Sequence, residues 1–470
     1  MGWIKPFPRA ASRHGPLSLE RRSTRCRSPQ LQVNLISLLP TSRFLMQFCG
    51  FGYTTSFGVY QDFYVRDYLS QSSSSAISSV STPIDFSRLT VPSSDSWIGS
   101  INALLGVALS LVSGPLYDRG HFRLVVYSGC FIQSFSLFML SLCQRQHLYQ
   151  ILLAQGVLAG LGLGIAYVPS VAVVSHYFRR RRGLVMALVQ SGTPLGAIVH
   201  PILLNNTLHN SQIGFGNAVR ISAGINSAIL LLACILVRPR LPPLQSVQHR
   251  KSTQIRLFLA AMQRVCRDRA YVLATIGMTA FVIAFWYPIF FLQLDAVTHG
   301  VGRTFAFYVL VIMNASGLAG RIVSGFLAEI FGVANVVTAA AGCGTALVLG
   351  IILLRTIASV VVLAVLNGFV AGVYAALLPP LLVSLTEDFA EVGLRMGLSF
   401  TIEGFGGLIG PPICGALLTT RFVWWRPALF SGGMGLLGFV LFLAAVFIVR
   451  RKESKGTRGR TSWALGTAEL

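Results

Sequence analysis

The sequence predicts an all-α membrane protein, with twelve transmembrane helices in two pseudo-symmetric six-helix bundles. Three observations carry that reading. Hydrophobic residues make up 53% of the chain and charged residues only 11%, where a soluble domain carries about 25% charge. The apolar residues fall into runs near the roughly 20 residues that a helix needs to cross a bilayer. The third is the placement of the basic residues. Four consecutive arginines, 179 to 182, stand between two apolar spans. At the centre of a membrane helix each would cost roughly 2.5–3.5 kcal/mol. The run is therefore a short loop, and the positive-inside rule places it in the cytoplasm.

Residues 1–43 are basic and Ser/Pro-rich, with Glu20 the one acid. They read as a disordered cytoplasmic tail, Pro6, Pro8, Pro16 and Pro29 opposing a helical presequence. A six-span bundle is expected over 44–237. Span 1 has a short apolar body, Phe44–Tyr60, bounded upstream by Pro40 and Arg43. The Ser-rich stretch 66–95 follows as an outer loop. Spans 2 to 6 are expected at Trp97–Tyr117, Leu124–Cys143, Leu148–Ser175, Gly183–Leu204 and Ala218–Val237. Gly156, Gly160, Gly162 and Gly164 give span 4 small-residue contact faces, and Gly192, Pro194 and Gly196 mark span 5 for close packing.

Residues 238–270 form a polar linker with eight arginines and lysines against Asp268, a further cytoplasmic signature. The second bundle, 271–449, holds spans 7 to 12 at Tyr271–Leu294, Thr304–Ala328, Val333–Leu354, Ile357–Leu385, Gly393–Leu418 and Trp425–Val449. Pro379-Pro380 and Pro411-Pro412 are expected to break spans 10 and 11. Residues 450–470 are a basic cytoplasmic tail. Both termini are thus inside, in the plasma membrane rather than the vacuole.

The net charge of +23 does not indicate nucleic acid, because the basic residues lie in tails and short loops, as orientation signals do. The eight cysteines include no CxxC pair, so neither a metal nor a disulfide framework is expected. No P-loop of the Gly-x4-Gly-Lys-Ser/Thr type is present, nor a nucleophile or histidine cluster that would make an enzyme. No cofactor is expected.

The two halves repeat a pattern. Gly114-Pro-Leu116-Tyr-Asp118 ends span 2, and Gly325-Phe-Leu327-Ala-Glu329 ends span 8. Each acid could pair with a basic loop group, Arg119 or Arg180, or cap a neighbouring helix end. Either contact would hold one conformation shut.

These residues carry a resemblance. Gly114-Pro-Leu-Tyr-Asp118-Arg119 is similar to the signature between helices 2 and 3 of the major facilitator superfamily. Tyr177-Phe-Arg-Arg-Arg-Arg-Gly-Leu-Val-Met-Ala, with Ser191-Gly192, is similar to the helix 4–5 motif of the monocarboxylate transporter family and its fungal members. The resemblance covers roughly residues 44–450. It implies alternating-access transport of a small, anionic organic solute, a monocarboxylate first; the alternative is a carrier of a vitamin or secondary metabolite without proton coupling, or a transporter-derived sensor. The family's acidic-Gly-Gly-aromatic motif before helix 1 is absent. The helix 1 basic position of animal lactate carriers falls near Thr55. Of their helix 8 Asp and Arg pair, Arg321 matches the Arg while Gly317 stands at the Asp position.

Arg321, past the middle of span 8, is the expected anion clamp, since its planar fork suits a carboxylate. It could instead be a gate residue pairing with Glu329 or Asp118. Asn314, Tyr53 and Tyr287 are further candidates for contact with substrate. Glu403 in span 11 is the candidate proton carrier, replacing the missing helix 8 Asp. Its alternative is a structural hydrogen bond. The expected partners are a small organic anion, protons and the lipid bilayer. The sequence names no accessory subunit.

Overall fold

The computed structural model describes residues 40–64, 96–145, 147–178, 181–208, 212–237, 251–298, 302–353, 356–386, 391–418 and 423–466. It is helical throughout these regions, with no strand among the described residues. Eleven helices are long and apolar enough to cross a membrane, and they match spans 2 to 12 in order. Helices suit this composition because every backbone N–H and C=O is satisfied inside the segment, as hydrocarbon demands.

Span 1 is the exception. It is assembled from a helix over residues 40–49, a turn Phe51–Thr54 and a helix Phe57–Phe63. The breaks fall at Gly50 and at Thr55-Ser56. The hydroxyl of Thr55 bonds the carbonyl of Gly52 at 2.7 Å, and that of Thr54 bonds Gly50 at 3.3 Å. Such side-chain bonds compete with the helix ladder and loosen it. The helix already starts at Pro40, inside the stretch expected to be tail; proline suits a first turn, where its missing N–H costs nothing. Span 4 carries a π-helical segment, Leu152–Leu158.

The glycines set the packing within each half. A Cβ on Gly52 would stand 2.8 Å from the Cα of Gly196, so span 1 lies backbone to backbone on span 5. On span 4, Gly160 faces Asn102 and Leu105 of span 2, while Gly162 faces Gln133 of span 3. In the second half Gly317 and Gly320 of span 8 meet Gly368 and Phe369 of span 10.

One expectation is corrected. Span 10, Ile357–Ser384, runs unbroken through Pro379 and Pro380, and span 11, Val392–Leu418, through Pro411 and Pro412. A proline removes one donor and one ladder bond, and packed membrane helices tolerate that loss. Within the linker, Lys251–Arg267 is a helix. The last helix, Trp425–Gly466, continues through most of the expected tail.

The linker helix is tied to the second half. Arg264 pairs with Glu391 at 2.9 Å, and Asp268, just beyond it, pairs with Arg395 of span 11 at 3.0 Å. Arg395 also donates to the carbonyl of Leu385 and lies 5.2 Å from the ring centroid of Tyr271. A buried guanidinium with a carboxylate, a carbonyl and an aromatic face is well matched.

Candidate functional site

The two halves meet along spans 2 and 11 and along spans 5 and 8. The contact is closest at the Asp118 end, the end expected to be cytoplasmic and called inner below. A Cβ on Gly114 would overlap the carbonyl of Gly393, and one on Gly397 would overlap that of Ser110. Only glycine permits backbones so near. The Asp118 carboxylate accepts from the backbone N–H of Gly393 at 2.9 Å and of Leu394 at 2.8 Å. These are orphan donors in the first turn of span 11, so an acid from one half caps a helix of the other. The matching corner is looser. Gly325 packs on Leu184, and Glu329 reaches Arg181 at 3.8 Å, both side chains solvent-accessible. The partner is thus Arg181. Arg119 is exposed and makes no ion pair among the described residues; Arg180 lies outside them.

Above this inner seal lies a polar cluster shared by both halves. Arg321 crosses from span 8 to span 5, where its Nη1 donates to the backbone carbonyl of Gln190. Its Nε is buried without a partner. The Gln190 side chain donates to the Tyr167 hydroxyl at 3.4 Å, and its own Oε1 is buried and unpartnered. Tyr167 of span 4 is held edge-on to Phe51 at 4.7 Å and against Phe400 at 5.5 Å. Its hydroxyl lies within electrostatic reach of both Arg321 and Glu403.

Glu403 follows Phe400 by three residues, so both share one face of span 11. It is 9% exposed. Among the described residues it makes no hydrogen bond or ion pair, with Arg321 or any other. Tyr374 of span 10 also lies within its electrostatic reach, with a buried hydroxyl that has no partner. The cluster therefore sets Tyr167 within electrostatic reach of both a guanidinium with a buried unpartnered Nε and a buried carboxyl, inside an aromatic surround. Such a site can take a polar or anionic group at Arg321 and a proton at Glu403.

The other candidates are placed elsewhere. Asn314 shares a helix with Arg321, and its Nδ2 turns back to the carbonyl of Leu310 at 3.0 Å. Tyr53 bonds the Tyr60 hydroxyl at 2.6 Å and lines a small cleft within the first half, with Asn102, Gln133 and Gln155. Tyr287 is buried in an apolar cluster of the second half, its ring tilted against that of Phe291 at 5.5 Å. Tyr167, Gln190 and Tyr374 were not foreseen. Gln190 alone left a signal, as an amide in a long apolar span just ahead of Ser191-Gly192.

Comparison with known proteins follows the same architecture. The sequence model of the Major Facilitator Superfamily matches residues 44–364 and 337–469. The chain belongs to the Major Facilitator Superfamily. It is a multi-pass membrane transporter of that superfamily. It is 31% identical over 412 residues to the aspyridones efflux protein of Emericella nidulans, covering 87% of this chain and 77% of that one. It is also 31% identical over 408 residues to the agnestins efflux protein of Paecilomyces divaricatus, covering 87% and 86%. An MFS-type transporter of Ophiocordyceps is 33% identical over 406 residues, covering 86% and 83%. Among solved structures, the superfamily transporter FucP in its outward conformation overlays with a TM-score of 0.64 at 18% identity, over 87% of this chain and 98% of that one. The human organic anion transporter MFSD10 gives 0.65 at 15% identity, over 88% and 100%. These two likenesses concern the fold.

Proposed function

We propose that this transporter exports a small organic metabolite bearing an acidic group, driven by proton exchange at Glu403. The observation that carries the reading is the shared cluster between the halves. Arg321 and Glu403 both lie within electrostatic reach of Tyr167 there, and neither pairs with the other among the described residues. The relatives named as efflux proteins for aspyridones and agnestins support the export direction and the substrate class.

In this reading the seal at Asp118 is the closed cytoplasmic gate, so the arrangement faces outward. Bundles 44–237 and 271–449 rock about the central cluster. Substrate enters from the cytoplasm when the Asp118 cap releases span 11 and binds its acidic group to the Arg321 fork. The carrier then turns outward, releases substrate and takes up a proton at Glu403 for the return. The plasma membrane is the site that export requires.

The test uses purified protein in proteoliposomes, with a panel of labelled monocarboxylates and acidic fungal metabolites and an imposed proton gradient. A gradient should drive substrate against its concentration. Arg321→Ala should abolish binding of acidic solutes by at least about tenfold, the loss expected for a charge-assisted bond of roughly 1.5–3 kcal/mol. Glu403→Gln should lose gradient-driven accumulation while keeping substrate exchange. Accumulation unchanged in Glu403→Gln would overturn the coupling. A second reading, inward proton symport of a monocarboxylate, is favoured by the helix 4–5 motif around Arg179–Arg182. It is distinguished by gradient-driven uptake of a short acid and indifference to larger metabolites.

A further inference from the structure

The transport cycle leaves one element without a role, the linker helix Lys251–Arg267. At 1.5 Å per residue it is about 26 Å long. It carries Lys251, Arg256, Arg264 and Arg267 and no acid. A single residue, Asp268, separates it from span 7, which begins at Arg269. That corner is fixed by the backbone. The N–H of Asp268 donates to the carbonyl of Val265 at 3.2 Å, and the carbonyl of Asp268 accepts from the N–H of Val272 at 2.9 Å. The helix therefore ends where span 7 enters the bilayer, and its pair with Glu391, beside the Asp118 cap, puts it at the inner end.

The helix is two-sided. Ala261 and Val265, one turn apart, pack into the protein core, with Val265 at 0% exposure. Leu259, Met262 and Cys266 follow the i, i+3, i+7 spacing of one stripe. Leu259 is 56% exposed, Cys266 is exposed and Met262 is half-buried. Gln263 and Arg267, four residues apart and both exposed, border that stripe. An uncovered apolar stripe with a basic border, one residue from a membrane span, suits the bilayer surface. Its apolar side meets the acyl boundary and its cations stand among phosphates.

We propose that the linker helix is a docking surface for anionic phospholipid of the inner-end leaflet, and that docking holds the first turn of span 11 ready for the Asp118 cap. Charge selects the partner. A zwitterionic surface would cover the apolar stripe, but only an anionic one also answers four cations that have no acid among them. Two ion pairs carry the effect to the gate. Arg264 holds Glu391 at 2.9 Å, and Asp268 holds Arg395 at 3.0 Å. Glu391 and Arg395 bracket Gly393 and Leu394, whose N–H groups the Asp118 carboxylate accepts. A docked helix steadies both brackets, so the donors stay in place and the seal stays shut for longer. Docking itself is independent of the cycle proposed above; its effect on the gate rests on the reading of the Asp118 seal as the closed gate.

The experiment takes the full-length protein into nanodiscs of phosphatidylcholine, with or without phosphatidylserine. A water-soluble maleimide is added, and alkylation of Cys266 is followed by mass spectrometry of its peptide. Phosphatidylserine should slow alkylation several-fold, and high salt should restore it. The combined variant Lys251→Gln, Arg256→Gln, Arg267→Gln should lose the protection, each cation being worth about fivefold in binding. Docking is overturned if Cys266 alkylates equally in the two lipids at low salt, or if the combined variant stays protected. It is also overturned if soluble glycerophosphoserine protects as well as the phosphatidylserine surface, since the site would then take a free headgroup. For the gate, Ser110→Cys places a thiol at the seal facing Gly397. Phosphatidylserine should slow its alkylation several-fold. Arg264→Gln should remove that difference while Cys266 stays protected. An introduced thiol indifferent to the lipid overturns the coupling. Neither readout uses a transported solute, so failure of the export reading would leave both results standing.

Discussion

The two inner corners of the molecule descend from the same five-residue pattern and are built to different strengths. At one, Gly114 brings span 2 onto the backbone of span 11, and Asp118 accepts two backbone N–H groups at 2.9 and 2.8 Å. At the other, Gly325 meets the side chain and Cα of Leu184, and Glu329 reaches an exposed arginine at 3.8 Å. A backbone N–H is fixed by its helix, so Asp118 orders only one side chain to make two bonds. The Glu329 pair orders two long side chains in water and gains little. Equal spacing in sequence therefore does not mean equal mechanical roles. In the proposed cycle the span 2 corner is the latch, and the span 8 corner follows it.

Substitutions at the two corners can break this asymmetry, and their effects should descend in size. Gly114→Val places branched carbons where the Gly393 carbonyl stands, and should reduce transport in proteoliposomes to background with a normal size-exclusion profile. Gly325→Val meets the Leu184 side chain and, at 2.9 Å, its Cα, a less severe overlap than at Gly114, and should leave measurable transport. Equal losses at the two glycines would remove the asymmetry. Asp118→Ala forfeits a cap of about 0.5–2 kcal/mol. That should shift the inward-open population roughly tenfold, read as faster alkylation of a cysteine introduced at the inner face. Asp118→Asn keeps one acceptor and should fall between. Glu329→Gln should cost less than about 1 kcal/mol. Its effect should vanish as salt is raised, because the pair is exposed and screened.

A similar contrast separates the two arginines buried at the inner face. Arg395 has Asp268, a carbonyl and the Tyr271 ring. Arg43 has a sulfur, the Phe122 ring and two idle nitrogens. The sequence shows both only as charges at the edge of an apolar run. Arg395 finds its carboxylate 127 positions away, whereas Arg43 makes no ion pair among the described residues.

Much of the fold was legible because its causes are local. Apolar run length, basic loops and glycine spacing act within a few turns of one helix, and spans 2 to 12 follow from them. The prolines of spans 10 and 11 misled because their cost is decided by packing around the helix. Span 1 was marked by its shortness, yet its breaks at Gly50 and Thr55-Ser56 depend on side-chain bonds that composition does not show. Of the candidate site, Arg321 and Glu403 were visible as charges that hydrocarbon would not tolerate without a reason. Tyr53 and Tyr287 are ordinary aromatics by sequence, and the folding of each half sent them into its own interior.

The sequence by itself determined where spans 2 to 12 run and their apolar chemistry, since hydrophobic burial and charge placement are read residue by residue. Only the tertiary structure decided which acid caps the other half's helix, and that Tyr167 lies within electrostatic reach of both Arg321 and Glu403. Those facts are contacts between helices far apart in the chain, 275 residues apart for Asp118 and Gly393. They exist because glycine-lined surfaces let helices approach closely enough for particular side chains to meet.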